Sequence, residues 1–249
     1  MTMKLYCFGE SGNAYKAALP LSLSGLDWDP VKVDFFGGET RSPDYRAKIN
    51  EMGEAPVLID GDTRLTQSGV IQMYVSEKSG RFAGETPDEA GEVPVLVDGD
   101  VTLTQSGVMQ MYVTEKTGKF GGDGSEEARE VMRWMFWDNH KLSSQAGMTR
   151  FLMNFLPEDK RPAEVIGFMQ GRLKSAYQTL ETHLENRDWI VGTGPTNADF
   201  SCCGYLFYPE PFGFARAEWP AIDAWLGRIE GLQGWQHPYD QMPGSPADR

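Results

Sequence analysis

The residues of this 249-residue chain best placed for chemistry are Ser11 and Asn13, in the run Gly9-Glu-Ser-Gly-Asn13. An apolar run that reads as a strand, Lys4–Phe8, ends there and a helix begins, reaching Leu23. A helix N-terminus carries unpaired N–H groups and the positive end of the dipole, so it binds anions and lowers the pKa of a nearby thiol. Ser11 fits that role, and it equally fits a plain N-cap serine. Two further pairs, Gln67-Ser68 and Gln105-Ser106, each open a predicted helix. Hydroxyl, amide and helix N–H groups converge at such a corner, which suits a carboxylate or serves capping alone. Upstream of each pair a proline leads an apolar run, at Ala55-Pro56 and Val93-Pro94. A cis bond there turns the preceding N–H and C=O outward for a peptide-like ligand, whereas a trans proline simply leads a strand.

These features come in twos because residues 53–90 are repeated, with no spacer, as residues 91–128, identical at 25 of 38 positions. Each copy reads strand, tight turn, strand, helix. Two copies are too few for a solenoid, and the rest of the chain does not share the period. The repeat is therefore a local duplication within an ordinary fold. The displaced copy can extend the sheet at an edge, pack as a satellite, or exchange with a partner subunit, and a linker over Gly80–Glu92 of ~40 Å extended reach forbids none of these. The second copy is the expected working one: it runs directly into the region that follows, and Val93, Val97 and Val101 suit a central strand better than Ala55, Ile59 and Thr63.

A net charge of −13 with no basic stripe argues against nucleic acid and anionic membranes. No apolar run approaches the ~20 residues needed to span a bilayer, and the first residues lack a signal-peptide core, so a cytoplasmic location is expected. Cys7 and the adjacent Cys202-Cys203 form neither a disulfide framework nor a redox pair, and they read as buried small hydrophobes. The three histidines, His140, His183 and His237, are too dispersed for metal ligation, so no metal is expected.

The elements that must position these residues fall into two kinds. The first half alternates: strand Lys4–Phe8, helix Asn13–Leu23, strand Trp28–Val33, short helix Pro43–Ile49, then the two copies. That order implies a partly parallel sheet with helices on its faces. From Ser125 the pattern turns helical: Glu126 to Phe155, Pro162 to Asn186 with a stripe from Val165 to Leu184, a short helix capped by Thr196 and Asp199, and Trp219 to Leu232. The tail from His237 is expected to fray. The Gly-rich run Gly121–Gly124 marks the joint, giving residues 1–123 and 125–249 as the expected domains.

The Ser-Gly-Asn helix, Asn50-Glu-Met-Gly-Glu-Ala-Pro56, the Gln-Ser helix and Gly-Pro-Thr-Asn-Ala-Asp199-Phe together resemble a cytosolic glutathione transferase of bacterial type, over essentially the whole chain apart from the extra 38 residues. The resemblance implies an α/β thioredoxin-like N-terminal domain, an all-α C-terminal domain and a homodimer. It implies glutathione as co-substrate and a small hydrophobic electrophile as the second substrate. Ser11 is then the donor to the thiolate, assisted by Asn13. Val93 and Pro94 pair with the cysteinyl part of glutathione, and Gln105 and Ser106 hold its γ-glutamyl end, or else Ala55, Pro56, Gln67 and Ser68 do. The alternatives within the same resemblance are a glutathione-dependent disulfide reductase and a non-catalytic binding or scaffold protein.

Overall fold

In the computed structural model, which describes residues 2–9, 11–80, 95–99 and 101–241, the chain falls into two compact units, Met1–Val93 and Pro94–Arg249. The division lies well before Gly121–Gly124, where a change of composition had set the expected boundary. The cause is the second copy, whose helix is held by the helical unit. Asn197 donates from its side chain to the Gln110 carbonyl (3.1 Å) and Thr114 Oγ1 (2.9 Å), and from its backbone to the Phe120 carbonyl (2.9 Å).

Unit 1 is built on β1 (Met3–Cys7), whose Met3 and Leu5 are buried while Lys4 is exposed, the alternation of a half-covered strand. Helix α1 (Gly12–Ser24) crosses over to β2 (Trp28–Lys32), which pairs with β1 in parallel. Ala14, Ala17 and Leu21, at spacings of three and four, form the buried stripe of α1. Pro20 lies inside α1 and has no N–H for the Lys16 carbonyl, and the side chain of Gln72 fills that gap at 2.9 Å. After α2 (Pro43–Lys48), copy one supplies β3 (Val57–Asp60), β4 (Thr63–Thr66) and α3 (Ser68–Ser79). The sheet order is β2-β1-β3-β4, with β3 antiparallel to both neighbours.

Copy one, not copy two, therefore lies beside the first strand. Copy two forms a separate two-stranded sheet, β5 (Val95–Asp98) with β6 (Val101–Thr104), followed by α4 (Ser106–Thr117). Strand propensity at these positions does not select the copy, because Ile59 and Thr63 are only half-buried in copy one. Of the buried positions of copy one, Val57, Leu58, Leu65, Val70 and Val75 are identical in type in copy two, and Ile71 is replaced by Met109, an apolar side chain of similar size. Loop closure then decides: joining α2 to β3 closes residues 49–56, whereas joining it to β5 would close residues 49–94, a difference of ~1.5 kcal/mol.

The helical unit continues with α5 (Gly124–Trp137), α6 (Ser144–Asn154), α7 (Ala163–Leu184), α8 (Asn197–Cys202), α9 (Pro220–Glu230) and a final turn, α10 (Pro238–Gln241). Its core holds Trp134, Trp137, Tyr177 and Trp225, all fully buried. The stripe of α7 is buried only from Leu173 onward, and Val165 is exposed, so the expected stripe is one end too long. The tail expected to fray lies, from residue 242, outside the described residues. Among the described residues no helix is long and apolar enough to cross a membrane.

The helix expected to run unbroken from Glu126 to Phe155 widens into a π turn over Asp138–Ser143. There Asp138 is buried and accepts from Ser143 Oγ (2.7 Å) and Ser201 Oγ (2.8 Å). Burial outweighs these bonds and pushes its carboxyl from 3.8 up to about 7. A carboxyl whose folded pKa is raised favours the fold when protonated, so this contribution is full below pH ~4 and is lost as pH rises through about 7. Asp138→Asn keeps an acceptor for one serine, offers a donor to the other, and cannot ionise. It is expected to be more stable than the parent at pH 8 by about 1–2 kcal/mol, with the gain absent near pH 4, as read from urea unfolding at both pH values.

Candidate functional site

Strand register brings the predicted site residues of copy one to one end of the sheet. Tyr6 faces Val57, and Val57 faces Thr66, so β1 ends, β3 begins and β4 ends at one level. The segments that follow or precede those ends carry Ser11, Ala55-Pro56 and Gln67-Ser68. Two helices, α1 and α3, start at the same end, so two positive dipole ends face the same region.

Ser11 is the N-cap of α1, and its Oγ accepts from the Ala14 N–H at 3.1 Å. One lone pair is thus engaged in capping, and the O–H remains a donor for an anion placed before the helix. Asn13 lies one residue inside the helix and is exposed. Ala55-Pro56 is a cis peptide bond. The loop before it is clamped: the Glu54 carbonyl accepts from Tyr45 Oη (3.0 Å) and Asn50 Nδ2 (2.9 Å). Burial raises the Tyr45 pKa, which keeps that donor protonated.

Gln67 sits at φ 69°, in the left-handed region that non-glycine residues rarely adopt. Its side-chain amide donates to Glu54 Oε2 at 2.7 Å, tying the start of α3 to the residue before Ala55. A strained residue held this firmly at a helix start is characteristic of ligand clamps. Gly53 completes the loop at φ 66°, where an added Cβ would lie 2.8 Å from the Thr40 carbonyl oxygen. In copy two, Gln105 and Ser106 occupy the equivalent helix start, with Gln105 at φ 66°, whereas Val93 and Pro94 lie outside the described residues.

Two profiles match the chain: the glutathione S-transferase N-terminal domain over residues 1–77 and the glutathione S-transferase C-terminal domain over residues 145–233, together two thirds of its length. The chain belongs to the glutathione S-transferase family. Members of that family use glutathione as a substrate, and the expected class, a thioredoxin-like α/β unit followed by a helical unit, is observed, with the β5–β6 hairpin of copy two at the start of the second unit. The residues between the two matched segments include all of copy two.

Among individual relatives, glutathione S-transferase 1 of Dianthus caryophyllus is 41% identical over 76 residues, 30% of this chain and 34% of that protein. The glutathione S-transferase zeta class protein of Euphorbia esula is 37% identical over 76 residues, 30% of this chain and 33% of its own length. The chain thus spans about a third of these relatives. Maleylacetoacetate isomerase of Pseudomonas aeruginosa is 27% identical over 250 residues, 98% of this chain and 100% of that protein. A solved glutathione S-transferase from Xanthobacter autotrophicus aligns over 96% of this chain and 98% of its own at 26% identity, with a TM-score of 0.46.

Residues that sequence reasoning missed are the clamp, Tyr45 and Glu54, and an aromatic cluster at the same end of the sheet as Ser11. Phe8 stacks on Phe35 (centroids 4.6 Å apart), and Phe36 meets both edge-on. Phe36 is 76% exposed. Tyr45 and Glu54 meet across a turn, which no periodicity reveals, but the doublet Phe35-Phe36 after a strand was a visible signal. Burial disfavours the thiolate form of all three cysteines. Burial, reinforced by Asp138 and Asp199, raises the Cys202 thiol well above its usual value, and Cys203 is pushed up to about 12. Cys7 is raised by partial burial. Among the described residues, no group of His, Cys, Asp and Glu is arranged to hold a metal ion.

Proposed function

We propose that this family member is a glutathione transferase whose site is built from copy one. The observation that supports it best is the register that gathers Ser11, Ala55-Pro56 and Gln67-Ser68 at the start of two helices. Ser11 donates to the glutathione sulfur, and together with the α1 N-terminus it favours thiolate over thiol, with Asn13 assisting. The Ala55 backbone pairs with the cysteinyl portion. Ser68 and the α3 N–H groups take the γ-glutamyl carboxylate, and Glu54, beside Gln67, faces the α-ammonium. The thiolate is the nucleophile; the protein supplies orientation and charge stabilisation. Phe8, Phe35 and Phe36 give a small hydrophobic electrophile an apolar wall. A homodimer and a cytoplasmic location complete the proposal.

The full-length likeness to an isomerase favours a second reading, in which glutathione adds to an unsaturated substrate and leaves again after rotation about the bond. Product analysis separates the two. A transferase consumes one glutathione per turnover, and an isomerase consumes none.

Assignment of the site to copy one is tested by calorimetric titration with glutathione. Ser68→Ala is expected to weaken binding by about 1–2 kcal/mol, the scale of a hydrogen bond to a charged group, while Ser106→Ala leaves it within error of the parent. The reverse pattern would move the site to copy two, and two glutathione molecules per chain would mean that both corners bind.

A further inference from the structure

The duplication gives unit 1 one acceptor surface, formed by β1 and α1, and gives the chain two segments shaped to fill it. Copy one fills it: Val70 and Val75 of α3 are 2% and 0% exposed. Their counterparts on α4, Val108 and Val113, are 44% and 40% exposed. Copy two is nonetheless folded in the same way. Leu96 faces Leu103 as Leu58 faces Leu65, and Asp98 accepts from Tyr112 and Lys116 as Asp60 does from Tyr74 and Lys78. It is a preformed unit whose apolar face lacks the cover that the same face has in copy one.

A polar feature matches as well. The Lys16 carbonyl, deprived of a helical donor by Pro20, is satisfied by Gln72 of copy one. The counterpart in copy two is Gln110, which carries the same side-chain amide donor. The acceptor surface thus has one polar socket, and both copies carry the side chain that enters it.

We propose that the β1–α1 surface accepts either copy, and that copy two of the same chain displaces copy one from it in a minor state. The packing residues are alike in the two copies, so the balance is set largely by loop closure, which favours copy one about ten-fold. The own-chain copy outcompetes that of another molecule because tethering holds it at an effective concentration in the millimolar range. The exchange replaces Ala55-Pro56 and Gln67-Ser68 beside Ser11 with their copy-two counterparts, but it is read from packing and is tested without glutathione or turnover, so it stands or falls apart from the proposed activity.

Disulfide trapping tests this in the full chain, with Cys7→Ala as background. Lys4 and Ile59 are directly opposed on β1 and β3, at a separation a disulfide spans, and Val97 is the counterpart of Ile59 in copy two. Under mild oxidation Lys4→Cys/Ile59→Cys is expected to close rapidly. Lys4→Cys/Val97→Cys is expected to close more slowly but completely, within monomers, as the minor state is drawn off, with the linked peptides identified by mass spectrometry. Adding Gln72→Leu, which empties the socket, is expected to speed closure of the second pair several-fold. Persistent free thiols in the second pair while the first closes, bridges only between chains, or a closure rate unmoved by Gln72→Leu would overturn the exchange.

Discussion

Asp199→Ala is expected to cost more than about 4 kcal/mol and to leave the helical unit unfolded at moderate temperature. The carboxylate is fully buried and accepts four hydrogen bonds. These come from the Thr196 N–H (2.8 Å) and hydroxyl (2.9 Å), the Ile190 N–H (2.9 Å) and Trp225 Nε1 (2.9 Å). Together they close the capping box of α8 and anchor α9 and the loop after α7 to it. Alanine removes every acceptor at once, and each buried donor left unpaired costs ~1–3 kcal/mol. That sum is a large share of the ~5–15 kcal/mol by which a domain is stable. Burial raises the Asp199 pKa although all four bonds oppose the shift, so the site is demanding even when intact. Asp199→Asn, which retains one acceptor oxygen, is expected to fall between parent and alanine variant. Urea unfolding followed by tryptophan fluorescence reads the effect directly, since Trp225 is itself a partner. A midpoint unchanged in Asp199→Ala would show that water replaces the carboxylate.

The second large effect is expected on the proposed reaction. Ser11→Ala should lower kcat for conjugation by about 30- to 1,000-fold, the ~2–4 kcal/mol assigned to a single donor at a developing or stabilised anion. Glutathione affinity should change little, because the proposed γ-glutamyl corner and the Ala55 backbone lie on other segments. The assisting role proposed for Asn13 places the single variant at the lower end and Ser11→Ala/Asn13→Ala at the upper. The N-cap bond to Ala14 is also lost, costing ~1 kcal/mol of stability, so rates are compared well below the unfolding temperature. Equal kcat in the double variant and the parent would remove this helix start from the mechanism.

The alternating and the helical halves were legible in the sequence because each rests on local signals. Ser11 caps α1 through its own side chain, and Thr196 and Asp199 cap α8 at the spacing of a capping box. The copy chosen for the sheet was not legible, since the packing side chains are nearly the same in both copies, Ile71 against Met109 apart, and closure entropy belongs to the path of the chain. The π turn was hidden too. It depends on Asp138 meeting Ser201 across 63 residues of sequence, and the Glu126–Phe155 pattern reads as one continuous helix. Ser11, Ala55-Pro56 and Gln67-Ser68 were legible as candidates, but the clamp of Tyr45, Asn50 and Glu54 requires the fold to bring it together.

The central claim is that unit 1 binds glutathione and holds its sulfur as a thiolate through Ser11 and the start of α1. Ultraviolet difference absorbance of the thiolate, recorded against pH with the protein saturated with glutathione, measures this without a second substrate. A bound thiol is expected to titrate at least about one unit below the ~8.5 of a free thiol, with Ser11→Ala restoring most of the difference. A bound glutathione that titrates as it does in water, in parent and variant alike, would contradict the account.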